Sequence, residues 1–405
     1  MRDMSRLIWL VPLVLCSTIL ALGQDATDSS GTTGQQGDQH TGKSLALIPR
    51  SHEMREAVYQ AQHRITLTVQ VADGSANSPG GLSREDFSIL DNGQPRQILD
   101  FKPSEGNSAP VSLFLLIDSV NNSAQRVEFE RREITAYLTR NSGKLLFPTT
   151  IGLMKANGVV ASEPTTDGLA ASIELKMMTK GLRATSCGEQ ADLHVAGFHS
   201  AVVAGDGLAE DINNGHSAEI GQCLNDRFKA SIAALGNLVQ KLQKTPGRVL
   251  MIAFGAGWST FEGKEFVPDT RAASLRFYDY LANIQNALRE SQITLSSIST
   301  PEELKDAGVM REQIDRLMRE VPAPETAHAR HLALQALAFR SGGLVLSGTR
   351  EIPGAIAKCA ADGASFYSLS FDTPPTESSG EYHALQIAAK QGWTVRTATS
   401  YFARP

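Results

Sequence analysis

The sequence predicts an α/β protein: a doubly wound, mostly parallel sheet with helices on both faces, joined to a small β-sandwich made from the strands that flank it. Three observations predict this. From Pro110 to about Ala361, nearly continuous apolar runs alternate with stretches of helical periodicity, as strands buried on both faces alternate with crossover helices. On either side of that region the pattern changes to a period of two with β-branched enrichment, which reads as half-buried antiparallel strands. Hydrophobic residues make up 41% and charged residues 20% of the 405, so the chain has the apolar content to bury a large core.

Taken in order, the chain opens with Arg2 and Arg6 ahead of an apolar run, Leu7 to Leu22, shorter than the roughly 20 residues a membrane span needs. Ala21-Leu22-Gly23 then supplies a small-x-small pattern. Residues 1–23 therefore read as a signal peptide, with an uncleaved anchor as the rival reading. Cys16 has no small-residue lipobox before it, which argues against lipid attachment. The expectation is export to the periplasm, the cell surface or the medium, with no transmembrane segment after cleavage. Residues 24–60 begin with Gly, Thr, Gln, Asp and Ser and almost no large apolar side chain, a composition expected to stay a disordered spacer.

Residues 61–107 carry the first sandwich strands. Arg64-Ile-Thr-Leu-Thr-Val-Gln-Val alternates strictly. Asp86-Phe-Ser-Ile-Leu and Arg96-Gln-Ile-Leu-Asp-Phe are joined by the turn chemistry of Asp91-Asn-Gly-Gln-Pro, which predicts a hairpin. The α/β region follows at 108–362. Its strands are Val111–Asp118, Thr150–Met154, Arg248–Phe254, Ile293–Ile298 and Leu344–Leu346; its helices are marked by Val127/Ile134/Leu138, Phe228/Ile232/Leu235/Val239/Leu242, Phe277/Leu281/Ile284/Leu288 and Leu332/Leu337. Residues at about 180–225 break the rhythm and read as an insertion. Residues 363–405 return to β pattern in three strands, around Ser365–Phe371, Tyr382–Ile387 and Thr394–Thr399, and are expected to pair with the early ones.

An oxidising destination changes how the cysteines read. Cys187 and Cys223 bracket the insertion and could close it as a disulfide; two unrelated thiols are the alternative. Cys359 lies in a helical stretch and reads as a small buried hydrophobe.

The chain resembles the exported von Willebrand factor A-related acidobacterial domain family. The residues that carry the resemblance are Leu113-Phe-Leu-Leu-Ile-Asp118, Asp86-Phe-Ser-Ile-Leu-Asp-Asn-Gly-Gln-Pro, Asp118-Ser-Val-Asn-Asn, Ser365-Phe-Tyr-Ser-Leu-Ser-Phe-Asp-Thr-Pro, Tyr382-His383, Gly392-Trp-Thr-Val-Arg396 and Tyr401-Phe402-Ala403. They span roughly Arg64 to Ala403, with Gln391 where the family often has Pro and Ser400 where it often has Gly. The resemblance implies a metal-ion-dependent adhesion site at the C-terminal end of the sheet, built from Asp-x-Ser-x-Ser, a Thr from a second loop and an Asp after the fourth strand. Here Asp118 is in place, but Val120 stands at the first Ser position, Asn122 at the second, and Ser123 is one step out of register. Thr166 is the candidate for the second loop, and Phe254-Gly-Ala-Gly-Trp258 supplies no carboxylate. The metal site is thus expected to be degenerate: of Asp118, Asn122 and Thr166, too few hard oxygens come together to strip Mg²⁺ of its water. No cofactor is expected.

The same residues have a plainer use. Asn122 or Ser123 fits the N-cap of the following helix, and Asp118 lies near its positive end. Trp258 fits either a ligand-binding rim or the core. Asp211-Ile-Asn-Asn-Gly215 lacks the acid spacing of a calcium loop and reads as a turn. His194, His199 and His216 match no common metal spacing, and His383 reads as a packed strand residue. With a net charge of −5 and no basic patch interleaved with aromatics, nucleic acid is not an expected partner. No nucleophile-base set or phosphate loop is legible. The functional expectation is a non-catalytic adhesion-type protein that docks a protein or peptide through a rim of Asp118, Asn122, Ser123, Thr166 and Trp258. A structural module of an envelope assembly, pairing through sandwich edges, and an enzyme with an unrecognised site are the rivals.

Overall fold

Strand β1 (Arg64–Ala72) buries alternate side chains as its sequence requires. After it come β2 (Phe87–Asp91) and β3 (Gln94–Arg96), which form a tight antiparallel hairpin. Its two turn residues, Asn92 and Gly93, have φ of 49° and 77°, the left-handed conformations that a two-residue hairpin turn demands. The hairpin is shorter than the sequence predicts. Strand β4 (Asp100–Glu105) leaves it and pairs with a late strand in the opposite sheet, carrying Phe101 into the aromatic cluster of Phe87 and Tyr367. This computed structural model describes residues 63–72, 81–105, 110–182, 187, 208–258, 271–306, 315–316, 318–374, 380–390 and 392–403. All of them belong to one unit, Ser51–Pro405. The leader, the spacer, His194, His199 and the side chain of His216 lie outside the described residues.

The α/β body runs through β5 (Val111–Asp118), α1 (Ala124–Leu138), β6 (Lys144–Lys155), β7 (Gly158–Ala161), β8 (Thr165–Asp167), α2 (Gly168–Thr179), α3 (Leu208–Leu242), β9 (Arg248–Phe254), α4 (Arg271–Glu290), β10 (Ile293–Ser299), α5 (Pro301–Asp306), α6 (Leu334–Arg340), β11 (Val345–Ser347) and α7 (Ile352–Ala361). The sheet order is β11-β10-β9-β5-β6-β7, with β8 also on β6. The strands from β11 to β6 are parallel and β7 is an antiparallel edge. This is a doubly wound sheet whose order reverses between β5 and β9, the place where such sheets open a crevice at their carboxyl ends. Strands β5 and β9, apolar along their middles, sit at the centre because both of their faces are covered. One face packs on Val127, Ile134, Ala171, Leu175 and Ile356 of α1, α2 and α7. The other packs on Leu235, Val239, Leu281, Leu288 and Leu337 of α3, α4 and α6.

Two sequence readings of this region need correction. Asp211–Gly215 is not a turn: α3 is continuous from Leu208, so the predicted insertion ends well before Asn225. Two asparagines and a glycine disfavour helix locally, but the long apolar face beyond them sets the helix, and local propensity yields to it. Cys223 on α3 is bonded to Cys187, with a Cα–Cα separation of 5.8 Å. The stretch around Leu332 and Leu337 is also broken, into a 3₁₀ turn Ala329–Leu332 and the short α6.

The chain closes with β12 (Ser365–Asp372), β13 (Tyr382–Ala389), β14 (Thr394–Arg396) and β15 (Ser400–Phe402), so the last predicted strand stops at Arg396 and a further short strand follows it. They join the early strands in two antiparallel four-stranded sheets, β14-β1-β12-β4 and β15-β13-β2-β3. Leu67, Val69, Ile89, Tyr367, Leu369, Phe371 and Tyr401 form the core shared by these strands. Buried polar groups bolt the sandwich to the α/β body. Arg248, at the start of β9, is held within the body by the Asp362 carbonyl at 2.8 Å and Thr294 Oγ1 at 3.1 Å, both of which accept from it, and it reaches the sandwich through the Phe366 ring of β12, whose centre lies 4.7 Å from its guanidinium. Burial draws its pKa down to about 9. Gln285 and Asn286 of α4 donate to Ser400 Oγ (2.8 Å) and the Phe402 carbonyl (2.7 Å).

Candidate functional site

The carboxyl end of β5 meets the start of the β9 exit loop at the reversal of strand order, so this is where a ligand site is expected. Asp118 ends β5 and is buried there. Its carboxylate is spent on its own loop: Oδ1 accepts from the backbone N–H groups of Val120 and Asn121 at 2.8 and 3.0 Å, and Oδ2 from Asn121 Nδ2 at 2.6 Å. The Trp258 indole adds a further hydrogen bond. Burial pushes the Asp118 carboxyl up, and the donors from Asn121, Val120 and Trp258 work against that rise. Asn121 Nδ2 also reaches Ser231 Oγ on α3 at 2.8 Å, so the loop is latched across the sheet end.

Trp258 resolves to the core. Its ring is 4% exposed and packs in the apolar cluster of α3, α4 and α6, so it plugs the crevice rather than lining its mouth. Gly255, which leads into this loop, has φ of 111° and faces Asn122, whose amide would lie 2.7 Å from any Cβ placed there. The backbone of the β9 exit loop therefore passes where a ligand-binding side chain would have to stand.

Asn122 and Ser123 serve helix α1. Ser123 is the N-cap and accepts from the Arg126 N–H at 3.3 Å. Asn122 Nδ2 donates to Glu130 Oε1 at 2.9 Å, and Glu130 is fully buried. Glu130 in turn hydrogen-bonds Glu303 of α5, which also receives the Thr300 N–H at 2.7 Å. Two carboxyl groups can share a hydrogen bond only when one of them carries the proton. Burial, then the neighbouring Glu303 and Asp118 charges, holds the Glu130 carboxyl well above its usual range; burial raises Glu303 as well. Arg126 of α1 and Arg227 of α3 are the cations that act on this group of acids.

Thr166 belongs elsewhere. Its strand β8 pairs along the first half of β6, Thr165 opposite Thr149 and Asp167 opposite Lys144, whereas Asp118 lies opposite Met154. At about 3.3 Å per residue, Thr166 sits roughly 17 Å or more from Asp118, at the opposite end of the sheet. The rim predicted from sequence is therefore corrected on three counts: Asp118 and Trp258 are buried, and Thr166 is at the wrong end. Of the predicted rim, Asn122 and Ser123 retain exposure beside the β5 end. Among the described residues, no group of three or more His, Cys, Asp and Glu side chains is arranged to hold a metal ion. Among the described residues, with Asp118 taken up by these donors, the oxygens beside the β5 end do not fit Mg²⁺.

Sequence reading missed Asn121, Glu130, Ser231 and Glu303. Two of these left a signal. Glu130 falls on the stripe of Val127, Ile134 and Leu138, where a carboxyl on a buried face demands an explanation. Thr300-Pro-Glu-Glu303 has the spacing of a capping box, and the Glu303 N–H does return to Thr300 Oγ1 at 3.2 Å.

A different surface stands out on α2. Leu169, Ile173 and Met177 are 53%, 60% and 67% exposed, while Gly168, Ala171 and Leu175 of the same helix are buried. At about 100° per residue the three exposed apolar side chains form one stripe, on the side opposite the buried face.

No protein-family model matches the chain, and no curated protein matches it. Among solved structures it is similar to manganese-loaded TRAP of Plasmodium vivax at 11% identity and a TM-score of 0.31, covering 77% of this chain and 98% of that one. It is similar to the pilus adhesin SpaC of Lactobacillus rhamnosus GG at 8% identity and a TM-score of 0.31, covering 83% and 42%. It is similar to the human COPII-coat protein Sec24c at 6% identity and a TM-score of 0.29, covering 74% and 45%. The chain thus spans less than half the length of SpaC and of Sec24c. Superpositions this loose carry no argument, and the architecture rests on the strand order and register above. Among the described residues, no helix is long and apolar enough to cross a membrane.

Proposed function

We propose that the chain is an exported, non-catalytic protein-binding module: a von Willebrand A-like α/β body on a sandwich of flanking strands, which works without a metal and docks its partner on the outer face of α2. The observation that carries this reading is the pairing of a closed sheet end with an open apolar stripe. Asp118, the one metal-site acid retained from the family pattern, is occupied by three protein N–H donors besides the indole of Trp258. Leu169, Ile173 and Met177 are large apolar side chains left in water on a single helix face, which soluble surfaces use for contact. The strand order β7-β6-β5-β9-β10-β11, with β7 as an antiparallel edge, supports the family reading, since it is the order of a doubly wound sheet with one added edge strand.

Photo-cross-linking separates the two ends of the molecule. A photoreactive residue in place of Ile173 is expected to give protein adducts in the producing cell, and one in place of Ser123 is not. Adducts from position 123 with none from 173 would return the docking surface to the sheet end. Turnover in a broad hydrolase screen that is lost on a point change would end the non-catalytic reading.

A further inference from the structure

We infer that the partner seated on the α2 stripe is a second copy of this chain, placed by a two-fold axis that passes beside Ile173 and sets the two α2 helices antiparallel. This rests on the proposed docking role of α2. A closed pair of identical subunits needs a patch complementary to itself, with each residue meeting the counterpart that symmetry assigns. The stripe meets that condition. Ile173 is its midpoint, with Leu169 and Met177 one turn to either side, so an antiparallel copy sets Ile173 against Ile173 and Leu169 against Met177.

The charges at its ends are opposite in sign. Exposed Asp167 stands at the N-terminal end as the helix cap, accepting from the Leu169 and Ala170 N–H groups at 2.9 and 3.2 Å. Exposed Lys176 and Lys180 stand at the C-terminal end, and among the described residues neither has an ion-pair partner. A parallel copy would set lysines against lysines. An antiparallel copy sets each Lys180 near the other chain's Asp167, and it also sets the two helix dipoles head to tail. Exposed Glu174 lies to one side of the stripe, at the solvent edge of such a pair.

The size of the surface fixes the strength. A 12-residue helix is about 18 Å long, and one of its faces is smaller than the roughly 800 Å² per partner of a standard interface. Association is therefore weak and reversible, and it needs high local concentration, as on a crowded envelope.

The test is sedimentation velocity on the full exported chain over a concentration series up to the millimolar range, with cysteine cross-linking as the geometric readout. Wild type is expected to move from monomer to dimer, with Ile173→Glu raising the dissociation constant at least tenfold and Lys180→Glu weakening the pair at low salt. Ile173→Cys is expected to cross-link to itself. Leu169→Cys and Met177→Cys are expected to cross-link when mixed and not singly. A chain that stays monomeric throughout, or a dimer indifferent to Ile173→Glu, overturns the inference. If the photoreactive residue at 173 captures some other protein while the purified chain stays monomeric, the second copy is excluded and the docking role of α2 survives. If nothing is captured and no dimer forms, both fall.

Discussion

Glu130 on α1 and Glu303 on α5 face each other inside the protein as neighbouring carboxyl groups, both buried, each with one oxygen that no N–H or hydroxyl reaches. Asn122 fills one oxygen of Glu130 and the Thr300 N–H one oxygen of Glu303, so the two oxygens left over have no donor but the shared proton. This contact fastens the start of α5 to α1 beside the closed end of the sheet.

The Glu130 carboxyl titrates higher in the folded chain than its ordinary 4.5. Its contribution is then fully present below that ordinary value and is lost as pH rises through the folded one. Glu130→Gln mimics the protonated form, since its amide both accepts from Asn122 and donates to Glu303. The variant should match wild type in melting temperature at acidic pH and exceed it at alkaline pH. Glu130→Ala, which orphans both neighbours, should cost about 2–4 kcal/mol at neutral pH. A melting curve series from pH 5 to 10 with parallel wild-type and Glu130→Gln profiles would refute the shared proton.

Asp118→Ala strips the acceptor from the Val120 and Asn121 N–H groups, the Asn121 amide and the Trp258 indole together. Urea unfolding should show a loss of about 2–4 kcal/mol. Millimolar Mg²⁺ or Mn²⁺ should leave the wild-type melting temperature unchanged, because a bound ligand would raise it by mass action. A rise of several degrees that Asp118→Ala abolishes would reinstate a metal site.

Asp91 anchors the sandwich. Burial opposes its charge, but hydrogen bonds from His383 (2.7 Å) and Tyr401 (3.0 Å), with Arg96 at 3.1 Å, hold its carboxyl below the ordinary 3.8. The stability from this group is present above that ordinary value and is lost as pH falls through the folded one. Asp91→Asn should flatten the acid limb of the stability profile below about pH 4, and Asp91→Ala should cost roughly 3–5 kcal/mol by leaving its partners buried and unpaired. An acid limb identical in Asp91→Asn and wild type would assign it to other carboxylates.

The Cys187–Cys223 bond closes a sequence separation of 36. Loop-closure entropy sets its contribution at roughly 3–4 kcal/mol. Denaturant midpoints of the oxidised chain and of the Cys187→Ser/Cys223→Ser variant should differ accordingly, and coincident midpoints would show that the crosslink adds nothing to the folded state.

Most of the scaffold was legible in the sequence because its signals are long. Val111–Asp118 and Arg248–Phe254 have no polar alternation to confuse them, and the period-two strands at either end name their own class. The short pieces were not legible. The β3–β4 break turns on Phe101 finding the Phe87–Tyr367 cluster across the sandwich, a contact that no local pattern encodes. Thr166 was placed by family expectation, and its error is one of register: a strand that folds back along β6 carries its hydroxyl to the far end of the sheet. Trp258 could be read as rim or as core from its position after β9, and only packing decides between them. Helix α2 was missed altogether: Leu169, Ile173 and Met177 stand at helical spacing, but Gly168, Ala171 and Leu175 make a second small apolar face, and a sequence does not say which of the two is turned inward.

Residues 64–105 and 365–402 contribute strands to both sandwich sheets, and everything between them is suspended from that pair. Tension applied through residues 63 and 403 is met first by the β1–β12 and β13–β15 ladders, and the α/β strands lie outside its path until those ladders part. A protein pulled by its flanks would thus keep the surface of α2 undistorted while the sandwich bears the strain.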